Sequence, residues 1–329
     1  MRRAHADAVD GVLLLDKPLG LSSNTALQRA RHLLRARKAG HTGTLDPQAS
    51  GLLPLTFGEA TKFSAGLLDA DKVYRARLAL GATTDSGDIE GEVVARREVA
   101  VTQEGLCAVL RTFVGALRQV PPMHSALKRD GRPLYELARK GIEVEREARE
   151  VRIARLDLVC WDPMQPEIEV ECSKGTYVRV LAQDIGAALG CGAHLAALRR
   201  TRVGRLRVED ALRLEDLEAG TLQARRRSLQ PLDALLDGVP RIALEAECAR
   251  RFRHGQRIAL SDLNEHAWLE EQARHAAGAP TRLRVDDAQG QLLGLACVED
   301  GCLAPMRLIG QSCGQASAQA TNSQIEEVL

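Results

Sequence analysis

The chain of 329 residues is long enough for one large domain and a smaller one, each with its own buried core. Apolar residues make up 45% of it and charged residues 27%, as in an ordinary globular protein, and no apolar run approaches the ~18–20 residues of a membrane span. The net charge of +1 does not by itself indicate nucleic acid, and the eight scattered cysteines form no Cys-x-x-Cys pair, which argues against a disulfide framework or a zinc site.

The first predicted element is a short buried strand, GVLLLD (11–16), which ends at a Lys-Pro pair. Its apolar run is too short for a signal peptide and lacks a small-residue cleavage site, so we expect a cytoplasmic protein. Ser22 or Ser23 then caps a helix that runs to about Arg37 and carries an apolar stripe of alanines and leucines.

Residues 38–62, KAGHTGTLDPQASGLLPLTFGEATK, are poor in charge and rich in small side chains. Asp46 is the only residue with a full charge between His41 and Phe57, and the segment after it is apolar. A carboxylate buried under such a loop needs a cation or hydrogen-bond donors, because burying it bare is prohibitively costly. Composition alone favours the simpler interpretation, in which Asp46 only begins an Asp-Pro turn.

A strand is predicted for residues 72–81, KVYRARLALG, with one apolar face. Tyr74 lies on that face, so an ordinary core tyrosine is the default interpretation, although an aromatic ring can also stack on an extruded base. The next predicted elements are a polar turn at 83–91, a helix from Thr102 to about Leu117, and a loop at 119–133.

The clearest alternation of apolar and polar residues covers 167–181, EIEVECSKGTYVRVL, and predicts one continuous strand. Tyr177 and Arg179 then point the same way and can present a flat ring and a guanidinium to one site. Arg179 suits a buried aspartate as a bidentate partner, whereas a surface arginine beside a half-buried tyrosine is the more common arrangement. A helix at about 181–189 and a basic segment follow.

Basic residues are concentrated in two segments. Nine arginines against five acidic residues lie between Arg199 and Arg227, and residues 29–38 contain five basic groups and no acid. Such patches can follow the phosphates of a nucleic acid, and solvated helix faces explain them equally well.

Beyond residue 240 the pattern changes to short strands. Residues 241–260 predict a strand, a short helix and a strand, and 282–309 predict short strands joined by glycine turns. We expect a small second domain, a compact β-barrel, with a polar, helix-like insertion at 261–280 and a disordered tail at 311–329. The mixed order of strands and helices argues for an α+β protein.

Around Asp46 these features coincide with a known pattern. The segment GHTGTLDPQASGLLPLTFGEATK closely resembles the signature of TruB-type pseudouridine synthases, which modify uridine 55 in the TΨC arm of tRNA. Further motifs follow the family in order: GVLLLDKPLGLSSN, KVYRARLALGATTDSGDIEGEV, QVPPMHSALKRDGRPLYELARKGIEVEREAR and CSKGTYVRVLAQDIGAALGCGAHLAALRRTRVG. The resemblance covers about residues 10–238, and the remainder to about 310 resembles the PUA-type RNA-binding domain of bacterial members.

The resemblance implies a catalytic domain at 1–238, built on a mixed, largely antiparallel sheet flanked by helices, and a PUA-like β-barrel domain at 239–310. It implies an isomerase that uses no cofactor and no metal and that acts on the TΨC stem-loop of tRNA. We expect a monomer with no obligate protein partner and no membrane association.

The resemblance also implies roles for residues that match the family motifs. Asp46 falls on the catalytic aspartate, the nucleophile toward a flipped-out uridine whose base is detached, turned and rejoined through carbon 5. Arg179 matches the arginine that pairs with this aspartate, and Tyr74 matches the tyrosine that stacks on the base. The other matches are Tyr177 and Leu198 in the base pocket, His41 in the space that the base vacates, and Lys17 and Lys62 near the site.

Other functions remain compatible with parts of the sequence. A non-catalytic RNA-binding or tRNA-folding protein would carry the same basic segments and terminal domain, and the intact set of Asp46, Tyr74 and Arg179 distinguishes an enzyme from it. A guide-dependent synthase of the archaeal and eukaryotic type agrees less well, because the chain has no long lysine-rich tails. A synthase of the ribosomal group agrees less well, because no S4-like N-terminal domain is found.

Overall fold

The computed structural model describes residues 7–310 apart from 126, 130, 139, 265–267 and 269–281. Within these residues the strands form a ten-stranded sheet, a five-stranded sheet and two short ribbons. The strands before residue 240 are β1 (Gly11–Lys17), β2 (Ala39–His41), β3 (Ala49–Phe57), β4 (Lys72–Leu80), β5 (Ala82–Thr84), β6 (Val93–Arg96), β7 (Gly115–Gln119), β8 (Lys128–Arg129), β9 (Arg132–Pro133), β10 (Arg149–Cys160), β11 (Glu167–Cys172), β12 (Ala193–Val203), β13 (Leu206–Arg207) and β14 (Leu212–Arg213). The helices of this region are α1 (Ser23–Leu33), α2 (Ala65–Asp69), α3 (Gln103–Thr112), α4 (Leu134–Ala138), α5 (Val178–Ala188), α6 (Leu214–Ala219) and α7 (Leu222–Arg227).

The ten-stranded sheet is mixed and largely antiparallel, as predicted. Its strand order is β14-β1-β3-β12-β4-β11-β10-β7, with β2 added to β3 and β13 added to β12. Strand β1 pairs in parallel with β14, and β3 with β12, whereas the central pairs of β4 with β11 and β12 are antiparallel. This sheet and its helices confirm the predicted α+β class.

Two groups of helices pack on the same face of this sheet. Helices α1 and α6 cover β1 and β3, while α3 and α5 cover β4, β10 and β11. Tyr74 and Leu198 contact both apolar clusters, so they lie where the two groups meet. In the described part of the chain, no helix is long and apolar enough to cross a bilayer.

Strand β1 is buried on both faces, which explains its unbroken apolar sequence. Leu13 and Leu15 pack under α1, and Val12 and Leu14 pack on the opposite face. All four side chains are at most 3% exposed. A strand that is covered on both faces has no polar alternation, so the predicted strand at 11–16 is confirmed for the reason that the sequence suggested.

The prediction of one continuous strand at 167–181 is wrong beyond Cys172. Strand β11 ends there, and Gly175 adopts a left-handed φ of +80° in the turn that follows. Tyr177 is the N-terminal cap of α5. The buried positions of that helix recur at intervals of three and four residues: Val178, Leu181, Ala182 and Ile185. Val178 and Val180 alternate with polar residues as in a strand, although they belong to the helical pattern of α5.

Helix α3 begins after Thr102, as predicted, but ends at Thr112 rather than at about Leu117. Gly115, with a φ of +118°, begins strand β7 instead. The four residues of β7 after Gly115 are good helix formers, so local preference could not reveal that this segment is the edge strand of the sheet.

Smaller differences concern the connections. Helix α1 ends at Leu33 rather than at about Arg37, and Arg35 adopts a left-handed φ of +54° just beyond it. The loop predicted at 119–133 contains the ribbon of β8 and β9, and the basic segment after α5 is strand β12. The polar turn predicted after β4 includes strand β5, which pairs with β6.

The region after residue 240 forms the five-stranded sheet, in the order β15-β17-β18-β19-β16. Its elements are β15 (Arg241–Leu244), α8 (Ala246–Arg253), β16 (Ile258–Ala259), β17 (Arg282–Asp287), β18 (Leu292–Glu299) and β19 (Cys302–Leu308). Phe252 of α8 is fully buried against these strands, which curl into a half-barrel consistent with the PUA-like domain expected. Most of the insertion predicted at 261–280, and the whole tail predicted at 311–329, lie outside the described residues.

An apolar cluster joins the two sheets. Phe63 and Leu67 follow β3 in the chain, and they belong to the same buried cluster as Val203 of β12 and Leu295 of β18. Met306 of β19 packs against this cluster. The C-terminal sheet therefore shares part of its core with the region that contains the candidate site.

Candidate active site

A cavity of ≈330 Å³ opens where the two helix groups meet. Its walls come from the loop between β2 and β3, from β4 and β12, from the turn after β11 and from the first turn of α5. Five of the predicted site residues line this cavity: Asp46, Tyr74, Tyr177, Arg179 and Leu198. The fold thus brings together side chains from three separate sequence motifs.

The loop that carries Asp46 is tied to the start of helix α1. Ser23 donates its hydroxyl to the Leu45 carbonyl at 2.9 Å and accepts a hydrogen bond from the Leu45 amide at 2.7 Å. Ser22 is the residue that caps the helix, since its side chain accepts from the Thr25 amide. Because Ser22 makes the cap, the Ser23 hydroxyl is free to hold the backbone next to Asp46. This anchor limits the positions that the carboxylate can take.

Arg179 lies in the first turn of α5, not on a strand, and its side chain is only 6% exposed. Its Nε lies 3.1 Å from Oδ2 of Asp46, and its Nη1 lies 3.4 Å from Oδ2 of Asp88. Nη1 also donates to the Ser86 carbonyl at 3.2 Å, and Nη2 donates to the His124 carbonyl at 2.6 Å. Four acceptors hold the planar guanidinium, so its orientation toward Asp46 is set.

Asp88 belongs to this site, although sequence reasoning treated its segment as a polar turn. Its carboxylate accepts hydrogen bonds from the Ser86 hydroxyl at 2.6 Å and the Glu90 amide at 3.1 Å. The motif TTDSGDIEG contained the signal, because it places three acidic residues close to a strand. Nothing in their spacing indicates which of the three faces the arginine.

The cavity raises the pKa of Asp46 above its ordinary value. Burial among the cavity walls is the largest cause, although 44% of the side-chain surface remains exposed. The Asp88 and Glu90 carboxylates raise this pKa further, whereas the positive charges of Arg179 and Lys17 lower it. Arg179 therefore favours the ionised form of a carboxylate whose surroundings otherwise favour the protonated form.

Arg200 is a second buried arginine that sequence reasoning counted only as part of a basic segment. It is 1% exposed, its Nε donates to the Leu52 carbonyl at 2.7 Å, and its Nη2 donates to the Gly43 carbonyl at 3.1 Å. A Cβ atom at Gly51 would lie 2.2 Å from the Arg200 carbonyl oxygen, so only glycine permits this close strand pairing. Through its hydrogen bond to Gly43, Arg200 thus stabilises the loop that carries Asp46.

Tyr74 and Leu198 form the apolar wall of the cavity, and Tyr177 lies at its α5 end. Burial raises the pKa of both tyrosine hydroxyls, which keeps them neutral at physiological pH. A neutral aromatic face beside a carboxylate suits a flat, uncharged ring that enters from solvent.

Two lysines are buried close to this site. Lys17 donates to the Pro18 carbonyl at 2.9 Å and to the Leu21 carbonyl at 2.7 Å, while Lys72 donates to carbonyls at the end of α2. Burial lowers the pKa of each lysine to about 8. Lys17 is predicted from the sequence and adds positive charge near Asp46, whereas Lys72 was not recognised.

His41 and Lys62, also predicted, lie outside the lining of the cavity. His41 ends β2 opposite Leu55, and its buried Nδ1 has no hydrogen-bond partner among the described residues. Burial lowers the pKa of His41, which favours the neutral imidazole. Lys62 pairs with Glu59 at 2.7 Å and donates to the Leu308 carbonyl at 3.3 Å, so it connects the two sheets.

The arrangement as a whole offers a carboxylate, a fixed guanidinium and an aromatic wall around one opening. Such a carboxylate can act as a nucleophile or as a general base toward a ring held against Tyr74. In the part of the chain that the structure describes, no group of three or more His, Cys, Asp or Glu side chains is placed to hold a metal ion.

Three family models match successive parts of the chain. Residues 31–178 match the TruB family pseudouridylate synthase (N terminal domain), and residues 179–237 match the tRNA pseudouridylate synthase B C-terminal domain. Residues 240–309 match the pseudouridine synthase II TruB, C-terminal model. Together these matches cover both sheets apart from strand β1.

Curated relatives are similar to the chain over nearly its whole length. A tRNA pseudouridine synthase B from Burkholderia mallei (strain NCTC 10247) is 56% identical over 302 residues, which are 92% of this chain and 97% of the relative. The enzyme of the same name from Cupriavidus metallidurans is 54% identical over 303 residues, covering 92% of this chain and 94% of the relative.

Solved structures share the fold. The crystal structure of a Cbf5-Nop10-Gar1 complex matches with a TM-score of 0.69 at 25% identity, covering 92% of this chain and 85% of the matched chain. The archaeal box H/ACA sRNP Nop10-Cbf5 complex matches with a TM-score of 0.65 at 24% identity, over 93% and 88% of the two chains.

Proposed function

The chain belongs to the TruB family of pseudouridine synthases, and from that premise we propose that it converts uridine 55 in the TΨC arm of tRNA to pseudouridine, with Asp46 as the nucleophile. It is an RNA pseudouridine synthase, an isomerase. The observation that carries the proposal is the ion pair of Asp46 and Arg179, 3.1 Å apart, in a cavity with the aromatic wall of Tyr74.

The reaction breaks the bond between N1 of the uracil and C1′ of its ribose and forms a bond between C5 and C1′. One hydrogen leaves C5 and one is gained at N1, so the product is an isomer of the substrate. Asp46 attacks either the ribose or the pyrimidine ring, and each route requires an ionised, correctly oriented carboxylate at the start. The Leu45 anchor and Arg179 supply that orientation.

We propose that the walls of the cavity bind the flipped-out base. Tyr74 stacks on the uracil, while Leu198 and Tyr177 exclude water around it. His41 fills the space that the base leaves in the RNA, and its neutral imidazole can enter a stack of bases without a charge. Lys17 supports the ionised state of Asp46, and Lys62 acts indirectly, by holding β19 against the site region.

We propose that residues 1–238 form the catalytic domain and that 239–310 form an RNA-binding domain that contributes affinity. All described residues that line the cavity come from the first range. Contacts from the second range would reach phosphates and sugars outside the target base. We further propose a cytoplasmic monomer. We also propose that it needs no obligate protein partner, because the 56% identical relatives are named as tRNA enzymes, whereas the chain of the Cbf5-Nop10-Gar1 complex is only 25% identical.

One experiment tests the proposed function directly. The purified protein is incubated with an unmodified tRNA transcript, and pseudouridine is mapped at single-nucleotide resolution. We expect one modified position, uridine 55, and none in a transcript whose uridine 55 is replaced by cytidine. RNA binding without any pseudouridine would instead support the non-catalytic alternative.

The pH dependence of the reaction should report the pKa of Asp46. Asp46 must be ionised to attack, and burial raises its pKa, so the acid limb of kcat/KM should lie above the ordinary aspartate value of about 3.9. Asp88→Asn should move this limb to lower pH, because the Asp88 carboxylate raises the pKa of Asp46. The asparagine can still accept from Arg179, which keeps the local geometry.

Asp85→Asn is the matched control for this shift. Asp85 lies in the same turn and accepts a hydrogen bond from the Glu92 amide, but it is not among the charges that have the largest effect on the pKa of Asp46. The acid limb of kcat/KM measured for Asp85→Asn should coincide with that of the wild type. An upward shift in Asp88→Asn, or equal shifts in both variants, would contradict the assignment of the limb to Asp46.

The reaction should need neither a metal nor an organic cofactor. The conversion is a net isomerisation, so it requires no redox partner and no group donor. Turnover should therefore persist in EDTA without added nucleotide or flavin, once the tRNA has been folded with a polyamine in place of magnesium. Restoration of a lost activity by one specific transition metal would overturn this prediction.

A further inference from the structure

The face of the large sheet opposite the cavity carries a groove of ≈750 Å³. Successive residues of a strand point to opposite faces, and this alternation separates the two sites. Tyr74 of β4 and Leu198 of β12 line the cavity, whereas Arg75 and Arg199, the next residues on the same strands, line the groove. The groove is thus a distinct site that shares only the strands with the cavity.

Positive charge dominates the lining of the groove. Six arginines face three acidic residues there, an excess of three positive charges. The arginines are Arg75, Arg155, Arg199, Arg202, Arg207 and Arg213. The protein as a whole has a net charge of only +1, so this excess is a local feature and not a consequence of overall composition.

In the described part of the chain, ion pairs engage four of the six arginines and leave two without a partner. Arg155 pairs with Asp157 and Glu169, and Arg207 pairs with Glu209. Arg199 makes a two-point contact with Asp16, at 2.9 and 2.7 Å, and two other arginines of the groove share the single carboxylate of Glu171. The side chains of Arg75 and Arg213 have no hydrogen-bond or ion-pair partner among the described residues, and both residues are exposed. Two complete guanidinium groups are therefore available to a ligand.

The register of the sheet places like charges side by side. Arg75 lies directly opposite Arg199 across the pairing of β4 with β12, and like charges in such positions destabilise a sheet. On its other side Arg75 lies opposite Glu169, but that carboxylate contacts Arg155 at 2.5 Å. Because Arg199 is paired with Asp16, an anion bound at Arg75 would neutralise the remaining unpaired positive charge at this position.

We propose that this groove binds the phosphate backbone of an RNA segment that lies outside the cavity. Arginine forks match phosphate oxygens, and none of the described residues that line the groove is aromatic, so phosphates and not bases are the groups recognised. An RNA arm whose base occupies the cavity lies on the other face of the sheet. The groove therefore receives another segment of the RNA or a second RNA molecule.

A 12-nucleotide oligoadenylate tests this proposal, because it contains no uridine and cannot be a substrate. Its affinity for the full-length protein is measured by fluorescence anisotropy over a series of salt concentrations. Arg75→Gln/Arg213→Gln should lower the slope of log K against log salt by about 1.4, at roughly 0.7 for each lost phosphate contact to a single strand. Turnover of a short TΨC stem-loop should stay unchanged, since neither arginine lines the cavity.

Arg77→Gln/Arg118→Gln is the matched control. It removes the same charge from two exposed arginines of the same sheet that do not line the groove. Its salt slope should equal that of the wild type. Equal losses in the two double variants, or no binding of oligoadenylate to the wild type, would overturn the proposal.

Inorganic tripolyphosphate distinguishes the source of the phosphate groups. We expect it to compete with oligoadenylate for the wild-type protein and to lose this effect in the Arg75→Gln/Arg213→Gln variant. If tripolyphosphate binds in a manner that depends on Arg75 and Arg213 while oligoadenylate does not bind, the groove takes a small free polyphosphate, and the assignment to RNA is wrong. Both double variants alter exposed side chains, and circular dichroism verifies that they fold.

Discussion

Asp46→Asn should abolish pseudouridine formation, by roughly 10⁴-fold or more, while tRNA affinity stays within a few-fold of the wild type. Asparagine is nearly isosteric with aspartate, so the loop held by Ser23 should keep its conformation. The amide cannot form the covalent bond to the substrate that the mechanism requires. The loss should therefore appear in the chemical step and not in binding.

Single-turnover kinetics with saturating enzyme measure this step, and filter binding of the same tRNA measures affinity. Asp85→Asn is a suitable control, because it makes the same chemical change in the turn that carries Asp88 and should retain normal turnover. Asp46→Glu should also be inactive or nearly so, since the added methylene displaces the carboxylate from Arg179. Substantial product from Asp46→Asn would eliminate Asp46 as the nucleophile.

Arg179→Ala should reduce the single-turnover rate by about 10²–10³-fold, an effect of the size seen when one preorganised hydrogen-bond donor is removed from an active site. Its removal leaves Asp46 near Asp88 without the guanidinium that contacts both carboxylates. The pKa of Asp46 should then rise, because the largest opposing positive charge is gone. The acid limb of the reaction should move to higher pH, the direction opposite to that expected for Asp88→Asn.

The structure changes the expected effect of this variant on stability. An arginine on an exposed strand face would be removed at little cost, but Arg179 is buried and donates to the Ser86 and His124 carbonyls as well. Breaking such a buried, hydrogen-bonded pair costs on the order of 3 kcal/mol. We therefore expect a lower melting temperature together with the loss of activity.

Arg179→Lys separates these two effects. Lysine keeps the positive charge but cannot make the forked contacts, so it should recover part of the activity and lower the acid limb again. Arg77→Ala, an exposed arginine of β4, should change neither activity nor melting temperature. An Arg179→Ala enzyme with a near-normal rate at saturating tRNA would show that the guanidinium does not act on Asp46.

Much of the site was visible in the sequence because short motifs carry it. The charge-poor segment drew attention to Asp46 and the strand pattern to Tyr74, although composition favoured a simple turn and a core tyrosine, and only the family resemblance implied their roles in the site. The groups that complete the site were less visible. Asp88 sits among other acidic residues, and Arg200 sits among other arginines, so neither differs from its neighbours until the chain is folded.

Local sequence patterns were sufficient to predict those strands and helices whose surroundings in the folded protein match the periodicity of their apolar residues. The run GVLLLD is apolar without interruption because β1 is covered on both faces, and the strands after residue 240 alternate with turns that glycine marks. Where two patterns overlap, as at Val178 and Val180, periodicity could not choose between strand and helix. The turn at Gly175 and the packing of α5 on the sheet decided it.

Tertiary structure alone decided which charges meet. Arg179 contacts Asp46 and Asp88, and Arg75 lies opposite Arg199, although each pair is far apart along the chain. The electrostatic energy of such a pair depends on distance and on burial, and both are set by strand register and by the helices that cover one face of the sheet. A sequence lists the charged groups, but only the folded chain determines which of them share a low-dielectric cavity and which face water on the other side.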